Sequence, residues 1–226
     1  MKRILCIALI VMLPVGCAPR DRSNKTKTVI RAAEHGRILT IAMDLTGSCR
    51  DKMAQSGHAF AMHAISKYFQ SSIGTSDQLI IAALSGTRRS LIWQGTPASL
   101  RREFPSADAF RDFLLSKADP NGSLIHDGLR NVVDYLATDP QLASGHAKSV
   151  LLCLSDMEDN GPDPAGSEQK LVDSLRGLAR TDTVIGLYFV EQGRIPTWRR
   201  NLQSAGFREI EVQPEFVGMP PLPNLD

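Results

Sequence analysis

An excess of charge of one sign is all but missing from this sequence: 26 Lys and Arg stand against 24 Asp and Glu, a formal net charge of +2. With no block of like charges anywhere, that balance excludes a basic nucleic-acid-binding surface or a polybasic arm. Cysteine is scarce too, and four in 226 residues do not make a disulfide scaffold. The apolar run Ile4–Leu13 is well short of the roughly 20 residues that cross a hydrocarbon core. The G-x-S-x-G elbow, the P-loop and G-x-G-x-x-G are lacking, which argues against the common hydrolase, nucleotide and dinucleotide sites. The D-x-D-x-T of aspartate-nucleophile phosphatases is missing as well, because Leu45-Thr46 follows Asp44. There is no internal repeat. What is present is globular composition, 42% hydrophobic and 22% charged, in a length that suits one domain or two small ones.

The N-terminus departs from that pattern. Lys2 and Arg3 precede the uncharged run Ile4–Leu13, which fits the h-region of a secretory signal. Leu13-Pro14-Val15-Gly16-Cys17 follows and resembles the lipobox of bacterial lipoprotein signals. The resemblance implies cleavage after residue 16, acylation of Cys17 (palmitate among the chains) and attachment to a bacterial membrane on its periplasmic side. Ala18, where Asp would retain such a protein in the inner membrane, favours the outer one. Two or more buried chains suffice for stable anchoring. An ordinary cleaved signal without lipid is the alternative. Residues 17–37 carry Arg20, Asp21, Arg22, Lys25, Lys27, Arg31 and Glu34 with little apolar periodicity, and read as a flexible tether.

From Ile38 onward, strand and helix signals alternate. Buried-strand runs are Ile38–Met43, Asp77–Leu84, Ser90–Gln94, Val150–Leu154, Thr183–Val190 and Glu209–Val212. Helical spacing joins Met53, Gly57, Phe60, Ala61, Ala64, Ile65 and Tyr68, with Gly74 ending it. It recurs at Phe110, Phe113 and Leu114 behind a Ser106 cap, and most cleanly at Ile125, Leu129, Val132, Val133 and Leu136. Leu171, Leu175, Leu178 and then Trp198, Leu202, Ala205 mark two more helix faces. Gly86–Arg89 reads as a hairpin turn. The pattern predicts a doubly wound α/β fold over residues 38–213, a mostly parallel six-stranded sheet with helices on both faces. An irregular Pro-rich tail over 214–226 follows.

In such sheets ligands bind beyond the carboxyl ends of the strands. Three clusters fall there: Asp44-Leu45-Thr46-Gly47-Ser48, Asn121-Gly122-Ser123, and Leu154-Ser155-Asp156-Met157. Asp44 and Asp156 with the hydroxyls of Thr46, Ser48 and Ser123 make an oxygen-only ligand set, suited to Mg²⁺, or to Mn²⁺ or Ca²⁺. Local capping is the other reading: Asp44 as a helix N-cap with Thr46 and Ser48 serving the turn, Asp156 capping its loop, and Ser123 as N-cap of the helix beginning at Leu124.

Taken in order, the clusters resemble the von Willebrand factor type A (vWA) domain, a Rossmann-like fold with a metal-ion-dependent adhesion site. Asp44-x-Thr46-x-Ser48 matches its D-x-S-x-S, Ser123 its loop Thr, and Leu154-Ser155-Asp156-Met157 its L-T-D-G, with Met157 where the family has Gly. The resemblance implies that Asp44, Thr46, Ser48, Ser123 and Asp156 hold the ion directly or through water. It also implies a coordination position left open for a Glu or Asp carboxylate of a protein partner. The expected function is that of a membrane-anchored binding module and not an enzyme. A metal-assisted hydrolase with His126 as base, or an envelope lipoprotein with a vestigial site, are the alternatives.

His58 and His63 are five residues apart, off zinc spacing, and read as ordinary helix residues. His126 is expected near the metal rim. Glu158 and Asp159 read as a solvated acidic loop. Cys153 lies within a strand and Cys49 beyond one, too far along the sheet for a disulfide, so both are expected as free thiols. Replacing Cys17 tests the anchor: Cys17→Ser should abolish palmitate labelling and release the protein from membranes. Wild-type protein that never takes up labelled palmitate refutes a lipid anchor.

Overall fold

The computed structural model describes residues 36–70, 77–84, 90–119, 124–216 and 218–224, without the side chain of Ser48. The signal segment 1–16, Cys17, nearly all of the expected tether, the Gly86–Arg89 turn and Ser123 lie outside the described residues.

β1 (Gly36–Met43) opens the domain. A 3-10 turn, Gly47–Cys49, leads into α1 (Arg50–Lys52), a π-helical turn Met53–Gly57, and α2 (His58–Phe69). β2 (Gln78–Ala83) and β3 (Leu91–Gly95) follow, then α3 (Pro97–Glu103), α4 (Ala107–Ser116), α5 (Ile125–Ala137) and α6 (Pro140–Ala143). β4 (Ala147–Leu154), α7 (Pro164–Leu178), β5 (Thr183–Tyr188), α8 (Ile195–Ala205) and β6 (Ile210–Val212) complete it. The strands form one six-stranded sheet in the order β3-β2-β1-β4-β5-β6. Every pairing is parallel except β2 with β3.

β1, β2, β4 and β5 are mostly apolar and mostly buried because both faces of the sheet are covered there. Side-chain alternation splits them between two cores. Ile38 and Ala42 of β1, Ile80 and Ala82 of β2, and Leu151 and Cys153 of β4 face one cluster, shared with α5, α7 and α8. Leu39, Ile41, Met43, Leu79, Ile81, Val150, Leu152 and Leu154 face the other, shared with α2, α3, α4 and the C-terminal tail. A Cβ on Gly186 of β5 would stand 2.6 Å from the Tyr188 ring, so glycine there lets the ring lie back along its own strand.

Ser106 caps α4 as expected, accepting from Ala109 N at 3.1 Å. Two short helices had gone unrecognised, α3 and α6. Each begins with a capping residue followed by Pro at the first helical position, Thr96-Pro97 and Asp139-Pro140. Neither is long enough to show a helical period. β5 stops at Tyr188, short of the expected Val190, because Phe189 takes a left-handed φ of 68°.

Leu151 is fully buried at the middle of β4. Leu151→Ala should cost about 2–5 kcal/mol, lowering the melting temperature by very roughly 5–15 °C for a domain of this size. Urea unfolding with an unchanged m-value checks that the loss is one of stability alone.

Candidate metal centre

β1 is flanked by β2 on one side and β4 on the other, and the chain leaves β1 towards β2 but leaves β4 towards β5, in opposite directions. The crevice between the carboxyl ends of β1 and β4 is therefore the switch point of the sheet. β1 and β4 run in register from Gly36–Ala147 to Met43–Leu154, and Asp44 N continues the ladder to Leu154 O at 2.9 Å. Asp44 is the first residue beyond β1, and Asp156 the second beyond β4, so main-chain pairing alone delivers both carboxylates to one place.

Asp44 is only 1% exposed. Its Oδ1 accepts from Thr46 N at 3.0 Å and from Thr46 Oγ1 at 2.5 Å, and its Oδ2 accepts from Ser155 Oγ at 3.2 Å. Burial raises the Asp44 pKa and the charge of Asp156 raises it further, against the lowering pull of the Thr46 bonds. Asp156 is half-buried, with Oδ1 accepting from Glu158 N at 2.8 Å and Oδ2 from the Cys49 thiol at 3.3 Å. Asp44, Cys49 and Asp156 each offer a ligand atom within 4.8 Å of the others, and this Asp-Cys-Asp group could hold a metal ion. Burial first, then the two carboxylates, push the Cys49 thiol up to about 12, so it stands as a neutral donor.

Of the residues expected to ligate, the structure thus brings together Asp44, Thr46 and Asp156. Ser48 lies within the 3-10 turn beside them, its side chain outside the description. Ser123 is not described either, but Thr46 bridges Asp119, which brings the chain four residues ahead of Ser123 alongside the Asp44 loop. The capping alternative meets a different geometry at Asp44: Thr46 occupies the N-cap of the 3-10 turn, and Asp44 makes an Asx-type turn to Thr46.

Other sequence expectations are corrected. Asp159 is not a solvated loop residue. It is 7% exposed, accepts from His126 N at 2.7 Å and Gly161 N at 2.8 Å, and so sets a carboxylate on the positive end of α5. His126 is turned into the packing of α5, α7 and α8 and not out to a rim. It is 1% exposed, its Nδ1 lies 3.1 Å from Ser167 Oγ, and its ring centroid is 5.6 Å from that of Trp198. His58 is buried beside Phe110. As expected, Cys49 and Cys153 are free thiols. The sequence pattern gives Cys49 no ligand role. Its place five residues after Asp44 gave no ligand spacing, and only the 3-10 turn folds it back onto Asp156.

Met157 has φ 63° and is fully buried, with its sulfur 3.6 Å from Cys153 Sγ. A bulky residue is rare in the left-handed region. The turn after Asp156 therefore demands a conformation natural to glycine, and this chain meets it with a side chain that fills the core.

No family model matches the chain, and no curated protein sequence does. Among solved structures it is similar to the pilus adhesin SpaC from Lactobacillus rhamnosus GG in its open conformation, with a TM-score of 0.54 and 11% identity. The match covers 82% of this chain and 28% of the adhesin chain, so this chain spans well under a third of that protein's length. At this identity the likeness is one of fold. Fold and site together define a doubly wound α/β domain carrying an acidic, thiol-containing cluster at its switch point.

Met157→Gly separates strain from packing. Relief of the positive φ is worth about 1–2 kcal/mol, and the greater freedom of glycine in the unfolded chain takes back about 0.4–1 kcal/mol of it. Loss of a buried Met side chain costs about 2–5 kcal/mol. Packing wins, and the variant should be less stable by about 1–4 kcal/mol in chemical denaturation. A more stable variant would mean that the backbone conformation dominates.

Proposed function

We propose that this chain is a vWA-type module that binds a protein partner through a Mg²⁺-dependent adhesion site, held at the periplasmic face of a bacterial membrane, favouring the outer one, by acylated Cys17. The observation that carries the reading is the convergence of Asp44, Thr46 and Asp156 at the carboxyl ends of β1 and β4. The sequence matches to D-x-S-x-S and L-T-D-G lie on those same residues. That a structural neighbour is a pilus adhesin accords with a binding role.

The donor chemistry fits a hard dication: two carboxylates plus hydroxyls from Thr46, Ser48 and Ser123, with Cys49 as a hydrogen-bond donor to Asp156. The ion, Mg²⁺ or else Mn²⁺ or Ca²⁺, supplies a coordination position for a Glu or Asp carboxylate of the partner. The remaining work belongs to the chain. Asp44 fixes the Thr46 hydroxyl; Ser155, bonded to Asp44 and to Met157 N, ties the two strand ends together; Glu158 N holds the Asp156 carboxylate in place. The burial of His126 against Trp198 weighs against the hydrolase alternative, which needs that imidazole as an accessible base.

The test is thermal melting of the full chain in detergent, with EDTA and then with millimolar Mg²⁺ or Mn²⁺. Metal at a hundredfold excess over its dissociation constant should add about 2.7 kcal/mol. That is a rise of very roughly 5–10 °C. Asp44→Asn keeps the shape and removes a buried charge, and should melt no lower than wild type in EDTA while ignoring both ions. Equal responses of wild type and Asp44→Asn would defeat the metal-dependent reading.

A further inference from the structure

Among the described residues beyond β6 there is neither helix nor strand, yet this segment is held at two places against the core cluster beneath α2 and β5. At its start, Glu215 pairs with Lys52 at 2.9 Å, and the Phe216 ring lies 4.7 Å from Phe189, 5.5 Å from Phe60 and 6.3 Å from Tyr188. Towards its end, Leu222 packs on the same cluster and Pro223 is buried. Two buried phenols terminate on this strap: Tyr188 Oη donates to Pro221 O at 2.7 Å and Tyr68 Oη donates to Pro223 O at 2.6 Å. Burial pushes both phenols up, so they stay protonated donors.

The chemistry of this contact differs from that of the core on the opposite face of the sheet. Two fixed hydroxyls read main-chain carbonyls two residues apart, as an extended segment presents them. Pro220, Pro221 and Pro223 bring no N–H into the buried surface, so they leave no donor to be satisfied there. An aromatic shelf of Phe60, Tyr188 and Phe189 takes the Phe216 ring that precedes them. Aromatic-lined grooves with hydrogen-bond donors are the general means of binding proline-rich segments. The Lys52–Glu215 pair is solvent-exposed on both sides and adds little to retention. Carbonyl reading is indifferent to which chain supplies the carbonyl, and the covalent link through Gln213-Pro214 sets only an effective concentration.

We infer that Tyr68, Tyr188, Phe60 and Phe189 line a groove for an extended proline-rich segment, filled here by the chain's own Phe216 and residues 221–223, and that a partner protein's segment with the same carbonyl and aromatic spacing enters it in exchange for the strap. The occupant's chemistry is read from the strap: an aromatic residue, then prolines five and seven positions later whose carbonyls meet the two phenols.

The probe is a fluorescent synthetic peptide of residues 213–226, added to the full chain in detergent. Phe216→Ala/Leu222→Ala weakens the strap and leaves the groove untouched. The peptide should bind this variant at least about tenfold more tightly than wild type, whose groove is filled in cis. Adding Tyr68→Phe and Tyr188→Phe to that background should remove about tenfold in affinity, the worth of two hydrogen bonds. Equal binding to wild type and the strap-weakened chain, or indifference to the Tyr→Phe changes, overturns the groove. A reading that does not depend on those variants uses wild type alone: excess peptide should speed chymotryptic cleavage at Phe216 several-fold, and an unchanged cleavage rate overturns the exchange.

Discussion

The parallel pairing of β1 with β4 is the constraint on which the site depends. Eight register pairs, from Gly36–Ala147 to Met43–Leu154, fix the two strands end to end, and one more hydrogen bond carries the ladder to Asp44. A slip of one residue would turn Leu39, Ile41 and Met43 from one core to the other. Register is thus enforced by burial on both faces over the whole strand, far from the carboxylates whose meeting it determines. The placement of Asp44 beside Asp156 is inherited from hydrophobic packing.

That inheritance creates an electrostatic problem at the strand ends. Two carboxylates and a thiol converge where Asp44 has almost no contact with water. The chain answers with short polar side chains supplied by the same loops. Thr46 and Ser155 donate to Asp44, Glu158 N and Cys49 donate to Asp156, and Ser155 also accepts from Met157 N. Those bonds moderate the upward shift that burial imposes on Asp44 and do not cancel it. The Asp44, Cys49 and Asp156 group that results at the strand ends could hold a metal ion. Beside it, Asp159 solves a different problem, offsetting the exposed N–H groups at the start of α5.

The strands were legible because β1, β2, β4 and β5 are buried on both faces and so read as continuous apolar runs. The amphipathic helix at Ile125–Leu136 was legible for the complementary reason, one buried stripe and one wet face. Asp44, Thr46 and Asp156 could be found because each follows the end of such a run. Asp159 and Cys49 could not: their roles come from loop conformations, with Asp159 reaching another helix and Cys49 folding back through a 3-10 turn, and neither leaves a period in the sequence. The left-handed residues Met157 and Phe189 were equally hidden, since nothing in a Met or a Phe announces a positive φ. The strap was legible as irregular but not as packed, because the contacts that hold it join Pro221 to Tyr188 and Pro223 to Tyr68, distant in sequence.

The polarity of β1 has a mechanical consequence. The chain enters the sheet at Gly36, the first residue of β1, and the candidate metal centre begins at Asp44, just past its last. Tension applied between the N-terminal segment and an object held at the centre would run lengthwise down this one strand. It would meet two ladders side by side, six register pairs with β2 and eight with β4, all lying across the direction of pull. Bonds so arranged are strained together and must yield together, unlike a hairpin peeled from one end. Traction on the domain would therefore be resisted at its centre, in shear, by the same strand that positions Asp44.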